Sequence, residues 1–533
     1  MNPVRICSWN INGIRSIQHP LKCTLDLLSA DIICLQETKS TSDISSEFAF
    51  ADDYNGYFSH SLHKSGYSGV AIFCRNPIKP TKTYHSLNEM IVEFSSLGSS
   101  KCELTNGWKF LMNELNISYA EARNLDAEGR VLALKFSADI FKPIRTNYEV
   151  LPLVVLCVYF PRLNSEDVKR LKFKHLFQRT VQLCTEFFLI ENNVVIAGDF
   201  NICHKAIDHC APEEIAVLAL FYATYINQMD SVSTSFRQWF DQLLIGKQRD
   251  QGLGTDESLG LGRFVDIFRL LHPDQENAFT CWSLRTNARQ TNYGVRLDYI
   301  LLDSQLVDLI TSSNEALQAD LMPNISGSDH CPVYADLPYF YNTNLDFFHF
   351  FPLKCSHYWP QCQTKQIQLN NFLVPKRLST VSEQASLPNT SVDICCLESL
   401  DVKSKNSNLK QAKITFGGFI ATKMTCKDVQ LSSIGESTIT LGRKDTDLSR
   451  AAQSSEAWRN LLSGPKKPPL CLLHKEPCVM RTVKQVRTTK GNRYGRRFWV
   501  CARPQGASDN PAAQCNTFFW DDQVPKNSNK SLR

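Results

Sequence analysis

The chain has 533 residues, of which 43% are hydrophobic and 21% are charged. That length allows roughly two to four domains of about 150 residues each, and that composition is typical of a globular protein with a sizeable core. The longest compact apolar run, residues 153–160, is far shorter than the roughly 20 residues of a membrane helix, and we expect no signal peptide. We therefore expect an intracellular protein whose 20 cysteines are reduced.

The net charge of +5 is unevenly distributed along the chain. Residues 461–533 carry a net charge of +10, which leaves −5 for the first 460 residues. A basic tail predicts a polyanionic partner. The mildly acidic body is more typical of an enzyme that uses a metal.

Residues 1–340 alternate short β-branched runs with stretches of helical spacing, a pattern that predicts sheets covered by helices. Beyond about residue 355, Ser, Thr, Asn, Gln and Lys dominate, which predicts a disordered segment. Cysteine, aromatic and basic residues then become dense. We therefore predict a globular α/β body at 1–340, a mostly disordered linker at 341–467 and a small module at 468–521.

Four short motifs each follow a predicted strand. They are SWNING at 8–13, LQETK at 35–39, AGDFN at 197–201 and SDH at 328–330, the last preceded by RLDY at 296–299. Polar residues at the carboxyl ends of strands lie at a sheet edge, where one shared site can form. In this order the four motifs are similar to those of the endonuclease/exonuclease/phosphatase superfamily, and the resemblance implies phosphodiester hydrolysis, which needs a metal, an activated water and stabilisation of charge on the phosphorus.

Roles for the acidic and amide residues follow from their chemistry. Glu37 is a hard oxygen ligand that suits Mg²⁺, and Asn10 and Asp329 are further candidates. Asp199 would orient and deprotonate the attacking water. Asn201, placed in an extended strand end, would point to the same side as Asp199 and donate to a phosphate oxygen.

His330 is a candidate cationic donor to the developing oxyanion. Asp298 would hold its other ring nitrogen, although these two residues could also form an ordinary buried pair. Tyr159 either donates to the phosphate or is a half-buried aromatic residue at a strand end. The complete predicted Mg²⁺ shell, with Mn²⁺ as the alternative ion, comprises Asn10, Glu37, Asp199, Asn201, Asp329 and His330.

Taken in this order, the motifs resemble those of the exonuclease III family of the endonuclease/exonuclease/phosphatase superfamily, over residues 1–340. The resemblance implies a four-layer α/β sandwich. Residues 126–130, 159–161, 287–289 and 296–299 are similar to the branch that cleaves DNA at abasic sites. That branch implies an abasic-site endonuclease with 3′–5′ exonuclease and 3′-phosphodiesterase activities, located in the nucleus, with mitochondria as a second location.

One departure from that branch concerns its aromatic sugar pocket. The matching positions here are Cys281, Val295 and Leu297, with Trp282 beside them. Two of these positions carry small residues where relatives can have aromatic ones. A wider pocket predicts weaker incision at abasic sites and relatively stronger 3′ exonuclease or end-cleaning activity.

Within the predicted linker, residues 366–373 read QIQLNNFL. This resembles the box that binds the replication sliding clamp, PCNA, with Gln366, Leu369, Phe372 and Leu373 at its characteristic positions. One helical turn would bring the three apolar residues together as a hydrophobic plug. The departure is Leu373, where an aromatic residue is commoner.

The tail contains three cysteines and a histidine that suit a closed tetrahedral zinc site: Cys471, His474, Cys501 and Cys515. Cys478 is an alternative to His474. Residues 495–504 and 518–520 resemble a GRF-type zinc finger, with one extra arginine in the GRRF stretch.

Residues 471–520 hold nine basic and two acidic side chains. Basic groups interleaved with aromatic rings suit single-stranded DNA, and we predict that it is bound by Arg496, Arg497, Phe498, Trp499 and Arg503. The alternative is that zinc holds together a fold that binds proteins.

Two other functions fit parts of the sequence. One is an adaptor with a vestigial nuclease that recruits DNA-damage signalling proteins, and the complete set of motifs argues against it. The other is a phosphodiesterase acting on a different ester, and the tail suited to DNA argues against that.

Overall fold

We describe a computed structural model of the chain. It describes residues 3–97, 106–144, 150–162, 167–212, 236–245, 262–311, 317–342, 354–363, 467–484 and 495–524. Nineteen strands occur in these ranges: β1 Arg5–Asn10, β2 Ile32–Gln36, β3 Tyr54–Ser59, β4 Val70–Arg75, β5 Lys82–Tyr84, β6 Val131–Phe136, β7 Phe141–Pro143, β8 Leu153–Tyr159, β9 Asn193–Asp199, β10 Phe264–Asp266, β11 Cys281–Trp282, β12 Gly294–Val295, β13 Asp298–Asp303, β14 Ala319–Leu321, β15 Val333–Asp336, β16 Tyr339–Tyr341, β17 Val479–Thr482, β18 Arg497–Val500 and β19 Phe518–Trp520.

The same ranges contain α1 Leu21–Leu27, α2 Ser46–Ala49, α3 Leu87–Leu97, α4 Asn106–Leu115, α5 Tyr119–Asp126, α6 Val168–Phe188, α7 Phe236–Leu243, α8 Ile267–Leu271 and α9 Ser304–Thr311. Helix α5 begins with a capping box, in which Ser118 and Glu121 bind each other's backbone amide. Among the described residues, no helix is both long enough and apolar enough to cross a bilayer.

Two six-stranded sheets form the centre of the body. The first has the order β14-β15-β1-β2-β4-β3 and the second β10-β13-β9-β8-β6-β5. In each sheet the two middle strands are parallel, β1 with β2 and β8 with β9, and their outer neighbours are antiparallel. The parallel pairs therefore end at the same edge, where two loops leave each sheet together.

The sheets pack face to face, because alternate residues of each middle strand are apolar on the inner face. Ile6, Cys34 and Ile72 of the first sheet belong to one buried cluster with Val155 and Ile300 of the second. The opposite face of the second sheet packs on α3, α6 and α7, and that of the first sheet on α1. These four layers confirm the predicted α/β sandwich.

Residues 354–363, which the sequence assigned to the linker, pack on the first sheet. Cys355 and Cys362 are buried, and the Trp359 ring centroid lies 5.3 Å from that of Phe58. The predicted linker therefore includes a segment that covers β3. The tail forms a separate small sheet of order β17-β18-β19.

Candidate active site and zinc centre

The strands deliver the predicted catalytic residues to one edge. Asn10 is the last residue of β1 and Glu37 follows β2, while Tyr159 and Asp199 are the last residues of β8 and β9. Asp298 begins β13, and because β13 runs antiparallel to β9 it lies directly opposite Asp199. The site is thus built where the parallel pairs of both sheets end.

The loops that follow β2 and β9 each contain a residue in the left-handed backbone region. Glu37 has φ 52° and Asn201 has φ 49°; asparagine tolerates this conformation, whereas for glutamate it is unusual. The expectation that Asn201 continues an extended strand is therefore wrong. The turn itself directs the Asn201 amide, which donates to Asp199 Oδ2 at 3.1 Å and to the Phe160 carbonyl at 3.0 Å.

Glu37 is surrounded by donors. Its Oε1 accepts from Tyr159 Oη at 2.7 Å and Asn10 Nδ2 at 3.1 Å, and Lys39 Nζ lies 2.9 Å from Oε2. Burial alone would raise the pKa of Glu37, but the bonds from Lys39, Tyr159 and Asn10 outweigh burial and lower it. Glu37 is thus held as an anion. Tyr159, for which donation to phosphate was one of two predicted alternatives, donates here to Glu37.

Asn10 joins the two sheets at the site. Its Nδ2 also donates to Asp199 Oδ2 at 2.9 Å, and its backbone carbonyl accepts from Ser328 Oγ at 2.7 Å. Ser328 Oγ lies 3.3 Å from Oδ1 of the half-buried Asp329. The 328–330 segment is therefore tied to the end of β1, and Asp329 reaches the network through Ser328.

A buried row of ionisable side chains consists of Asp298, His330 and Asp199, in that order. His330 Nδ1 is 2.7 Å from Asp298 Oδ2, and its Nε2 is 4.0 Å from Asp199 Oδ2. Burial lowers the pKa of His330, but Asp298 and, beside it, Cys281 together outweigh burial and leave this pKa well above its ordinary value. The imidazolium therefore donates to Asp298 and presents its other N–H toward the site.

Asp199 is suited to the role of base. Burial and the nearby Asp298 carboxylate raise its pKa to about 7, while His330 and the hydrogen bonds from Asn10 and Asn201 act in the lowering direction. A carboxylate with a pKa near the working pH is effective in proton transfer. Asp199 and His330 are thus arranged as a base and a cationic donor at one position.

The residues at this edge also fit a divalent cation. Asn10 and Glu37 offer hard oxygen atoms, the kind Mg²⁺ prefers. Asp298 Oδ1 is buried with no hydrogen-bond partner among the described residues, so one acceptor oxygen of the site is left without a donor. Single ligand atoms of Asp199, Asp298 and His330 lie within 4.8 Å of one another, but the short His330–Asp298 hydrogen bond favours a proton there over an ion.

Two residues at the site had no predicted role. Lys174 is buried in α6 and donates to the Asn201 carbonyl at 2.8 Å; burial lowers its pKa to about 7. Arg130 lies over the Tyr159 ring at 4.4 Å and donates to the Tyr159 carbonyl at 3.1 Å. The 126–130 motif pointed to Arg130, whereas a lysine within a helical pattern gives no signal of burial.

Three of the predicted pocket residues face the same way. Cys281 and Val295 are opposite each other on the β11–β12 ribbon, and Leu297 follows Val295 by two residues. Trp282 points to the other face because side chains alternate along a strand. It is buried beneath the ribbon, where it donates to Asn292 Oδ1 at 3.1 Å, and its position therefore does not support a role in lining the pocket.

The tail brings its four predicted ligands together. One ligand atom each from Cys471, His474, Cys501 and Cys515 lies within 4.8 Å of the others, and His474 Nδ1 is 3.6 Å and 3.4 Å from the sulfurs of Cys471 and Cys501. Cys478 is buried in the same small core but is not in this group. The geometry therefore favours His474 over Cys478, and three thiolates with one imidazole fit zinc.

The aromatic face of the tail differs from the predicted one. Phe498 and Phe518 stack at 5.2 Å, Trp520 meets Phe518 edge-on at 5.0 Å, and Arg496 lies over the Trp520 ring at 4.1 Å. Phe518 is 47% exposed. Our predicted set omitted Phe518 and Trp520, although both alternate with Phe519 on β19 and so share one face.

Two tail residues that we predicted to bind DNA, Trp499 and Arg503, instead make hydrogen bonds within the module. Trp499 is buried and donates to Asp521 Oδ1 at 3.0 Å, since it faces away from its neighbour Phe498. Arg503 donates to the Glu476 carboxylate and the Pro511 carbonyl, so it holds the module together. Arg497 lies 2.8 Å from Asp521 but is itself more than half exposed.

The predicted clamp-binding residues Gln366, Leu369, Phe372 and Leu373 lie outside the described residues.

Comparison with known proteins defines the class to which this fold and site belong. The family model described as Endonuclease/Exonuclease/phosphatase family matches residues 7–330, which include every predicted catalytic residue from Asn10 to His330. The chain belongs to this family.

Within the family, the similarity extends over almost the whole chain to proteins named DNA-(apurinic or apyrimidinic site) endonuclease 2. The Xenopus laevis protein is 35% identical over 97% of this chain and 98% of its own length, and the human protein is 34% identical over 97% and 99%. The crystal structure of the Xenopus laevis APE2 catalytic domain is 34% identical, covers 68% of this chain and 99% of that chain, and has a TM-score of 0.52. The motifs of the body, box and tail together predict a resemblance to apurinic/apyrimidinic endonuclease 2. These comparisons confirm that resemblance.

Proposed function

We propose that the protein is a Mg²⁺-dependent DNA repair nuclease. It hydrolyses phosphodiesters at abasic sites and at 3′ ends, as an endonuclease, a 3′–5′ exonuclease and a 3′-phosphodiesterase. The observation that carries the proposal is the juxtaposition of a base, Asp199, with a cationic donor, His330, beside an anionic oxygen ligand, Glu37. Relatives bearing the names of an abasic-site endonuclease and, in Bacillus subtilis, an exodeoxyribonuclease support DNA as the substrate.

The residues divide the work of hydrolysis between them. Asp199 orients water and accepts its proton, since its carboxylate is fixed by Asn10 and Asn201. His330, kept cationic by Asp298, donates to the oxygen on which negative charge develops. A Mg²⁺ ion held by Glu37 and Asn10, with Asp329 nearby, would supply further positive charge to the phosphate.

The pocket supports a preference for ends over abasic sites. Cys281 and Val295 face each other across the ribbon where an aromatic pair would narrow the space. A wide pocket admits a nucleotide that still carries its base. We therefore propose that exonuclease and end-cleaning activities are strong relative to abasic-site incision.

The tail supports binding of single-stranded DNA. The exposed Phe518 ring, with the half-buried Phe498 and Trp520 rings packed against it, offers an aromatic surface for stacking bases, and Arg496 and Arg497 lie beside these rings. Stacked rings next to arginines bind single strands with little sequence preference. We propose one structural zinc ion for this module.

The box at 366–373 supports recruitment by the sliding clamp PCNA, and with it a nuclear location. The motif alone supports this part of the proposal. DNA-damage signalling proteins remain further proposed partners of the linker and tail.

A nuclease assay on matched substrates tests the proposal. Purified protein would be given an abasic duplex, a recessed 3′ end and a blocked 3′ end, each with Mg²⁺ and with EDTA. We expect cleavage of all three only with the metal, and faster processing of the ends than of the abasic site. No cleavage by folded, Mg²⁺-supplied protein would contradict the proposal and favour the adaptor function.

A further inference from the structure

We call the described part of the tail, residues 467–484 and 495–524, the zinc module. It contacts the body through a short loop. The body and the module belong to one compact unit, 1–366 together with 467–533. The Gln505 amide donates to the Thr286 carbonyl at 3.0 Å, and the Thr291 hydroxyl donates to the Gln505 carbonyl. Both backbone groups of Gln505 are therefore bound by the body.

The next residue shows how close this contact is. A Cβ atom placed on Gly506 would lie 3.1 Å from Thr291 Cβ and 2.8 Å from Ala513 Cβ. A larger residue at Gly506 or Thr291 would therefore force the two surfaces apart. We call residues 504–506 the docking loop and residues 284–291, which form two 3₁₀ turns, the docking turns.

On the body side, the docking turns are tied to the catalytic edge. Arg289 donates to the carbonyls of Ser328, Pro323 and Ile325 and lies over the Trp282 ring at 4.7 Å. The Trp282 amide in turn donates to the Asp329 carbonyl at 2.9 Å. The turns thus continue directly from the pocket ribbon and are braced against the 328–330 segment.

On the module side, the docking loop lies between the zinc ligands Cys501 and Cys515. The Gln514 amide donates to the Pro504 carbonyl at 2.7 Å, and Arg503 ties the loop entrance to Glu476. The loop is therefore shaped by the same folding that assembles the ligand group. The exposed Arg285 on the docking turns adds positive charge beside the contact.

We infer that the docking loop holds the zinc module in a fixed position beside the nucleotide pocket, so that a single strand captured by the module is presented to the phosphodiester site as part of one substrate. This inference rests on the proposed function. A tethered second binding site raises the effective concentration of its ligand at the first, and avidity gains of about 10²–10⁴ are possible when the geometry is set.

The test uses the full chain with Thr291→Arg, which places a bulky side chain against Gly506. Gln290→Arg is the matched control, because Gln290 is exposed on the same turn and receives the same charge. Thr291→Val removes only the hydroxyl donor. Substrates are a blunt duplex and a recessed 3′ end opposite a long single-stranded overhang.

Two measurements are made on each variant. Hydrogen exchange of the peptide containing Gln505 reports docking, and we expect faster exchange in Thr291→Arg, an intermediate rate in Thr291→Val and the wild-type rate in Gln290→Arg. The ratio of cleavage on the overhang substrate to cleavage on the blunt duplex reports coupling. We expect this ratio to fall roughly tenfold or more in Thr291→Arg, with blunt-end cleavage and single-strand affinity unchanged.

Each other outcome counts against the inference. Unchanged exchange in Thr291→Arg, or equal effects of Thr291→Arg and Gln290→Arg, would show that the module is not docked there. Faster exchange with an unchanged cleavage ratio would show docking without coupling. Absence of nuclease activity in the wild-type chain would contradict the proposed function instead, and the exchange measurement would still report on docking.

Discussion

In the proposed mechanism, the charge of His330 depends chiefly on the neighbouring Asp298, to which it is hydrogen-bonded. Asp298, with a further contribution from Cys281, keeps the pKa of His330 above its ordinary value despite burial. Without that carboxylate, burial would favour the neutral ring. The donor to the developing oxyanion would then be lost at neutral pH.

Asp298→Asn should therefore lower the cleavage rate at neutral pH by about 10²- to 10⁴-fold, the usual worth of a positioned proton donor. Because the pKa of His330 would fall, the alkaline side of the pH–rate profile should move to lower pH. The measurement is that profile with Mg²⁺, and Asp274→Asn, at an exposed carboxylate, is the control. A proportional loss of rate with an unshifted profile would show that Asp298 has only a structural role.

The width of the proposed nucleotide pocket also depends on single residues. Cys281→Phe combined with Val295→Trp places two aromatic rings opposite each other on the ribbon. We expect a higher ratio of abasic-site incision to 3′ exonuclease activity, measured on the two substrates with one protein preparation. An unchanged ratio in a folded double variant would show that the small residues do not set the preference.

At the scale of elements, much of the sandwich was readable from the sequence. Runs such as residues 153–160 alternate inward and outward on strands, and each motif follows a strand, so a shared edge could be predicted from the sequence alone. The four motifs in this order, at 8–13, 35–39, 197–201 and 328–330, then made the resemblance specific.

The sequence could not show which face of a strand a given residue occupies, or where a loop turns sharply. Trp282 and Trp499 lie beside true site positions but face the opposite side, and only the register of the strands decides this. Asn201 reaches Asp199 through a left-handed turn, which an asparagine permits but does not announce. Lys174 looks like any solvated helix residue until α6 is packed on the second sheet.

In the proposed zinc module, four ligand residues rather than a large core would hold the fold together. Cys515→Ala should release the zinc and abolish single-strand binding, because a small module of this kind depends on metal for much of its folding energy. Cys478→Ala should retain one zinc per chain. Zinc content and binding to a fluorescent single strand are the measurements, and zinc loss in Cys478→Ala with retention in His474→Ala would reverse the ligand assignment.

At the scale of the whole molecule, the body and the tail would bind one DNA substrate, and the box would bind the PCNA on that DNA. The box can be separated from the chemistry, since it lies far along the chain from the catalytic residues. Phe372→Ala with Leu373→Ala should weaken PCNA binding by orders of magnitude, as buried apolar anchors are often worth about 2 kcal/mol or more each. Basal nuclease activity should be retained, and undiminished PCNA binding would place the contact elsewhere.

The most direct test of the central claim is cleavage of a recessed 3′ end by Asp199→Asn. The substitution is nearly isosteric and leaves an oxygen to accept from Asn10 and Asn201, so the fold should be kept, as thermal melting would show. Loss of the base should slow Mg²⁺-supported cleavage by about 10² to 10⁴, with DNA affinity little changed. Cleavage near the wild-type rate by the folded variant would contradict the assignment of Asp199 as the base and, with it, the catalytic site described.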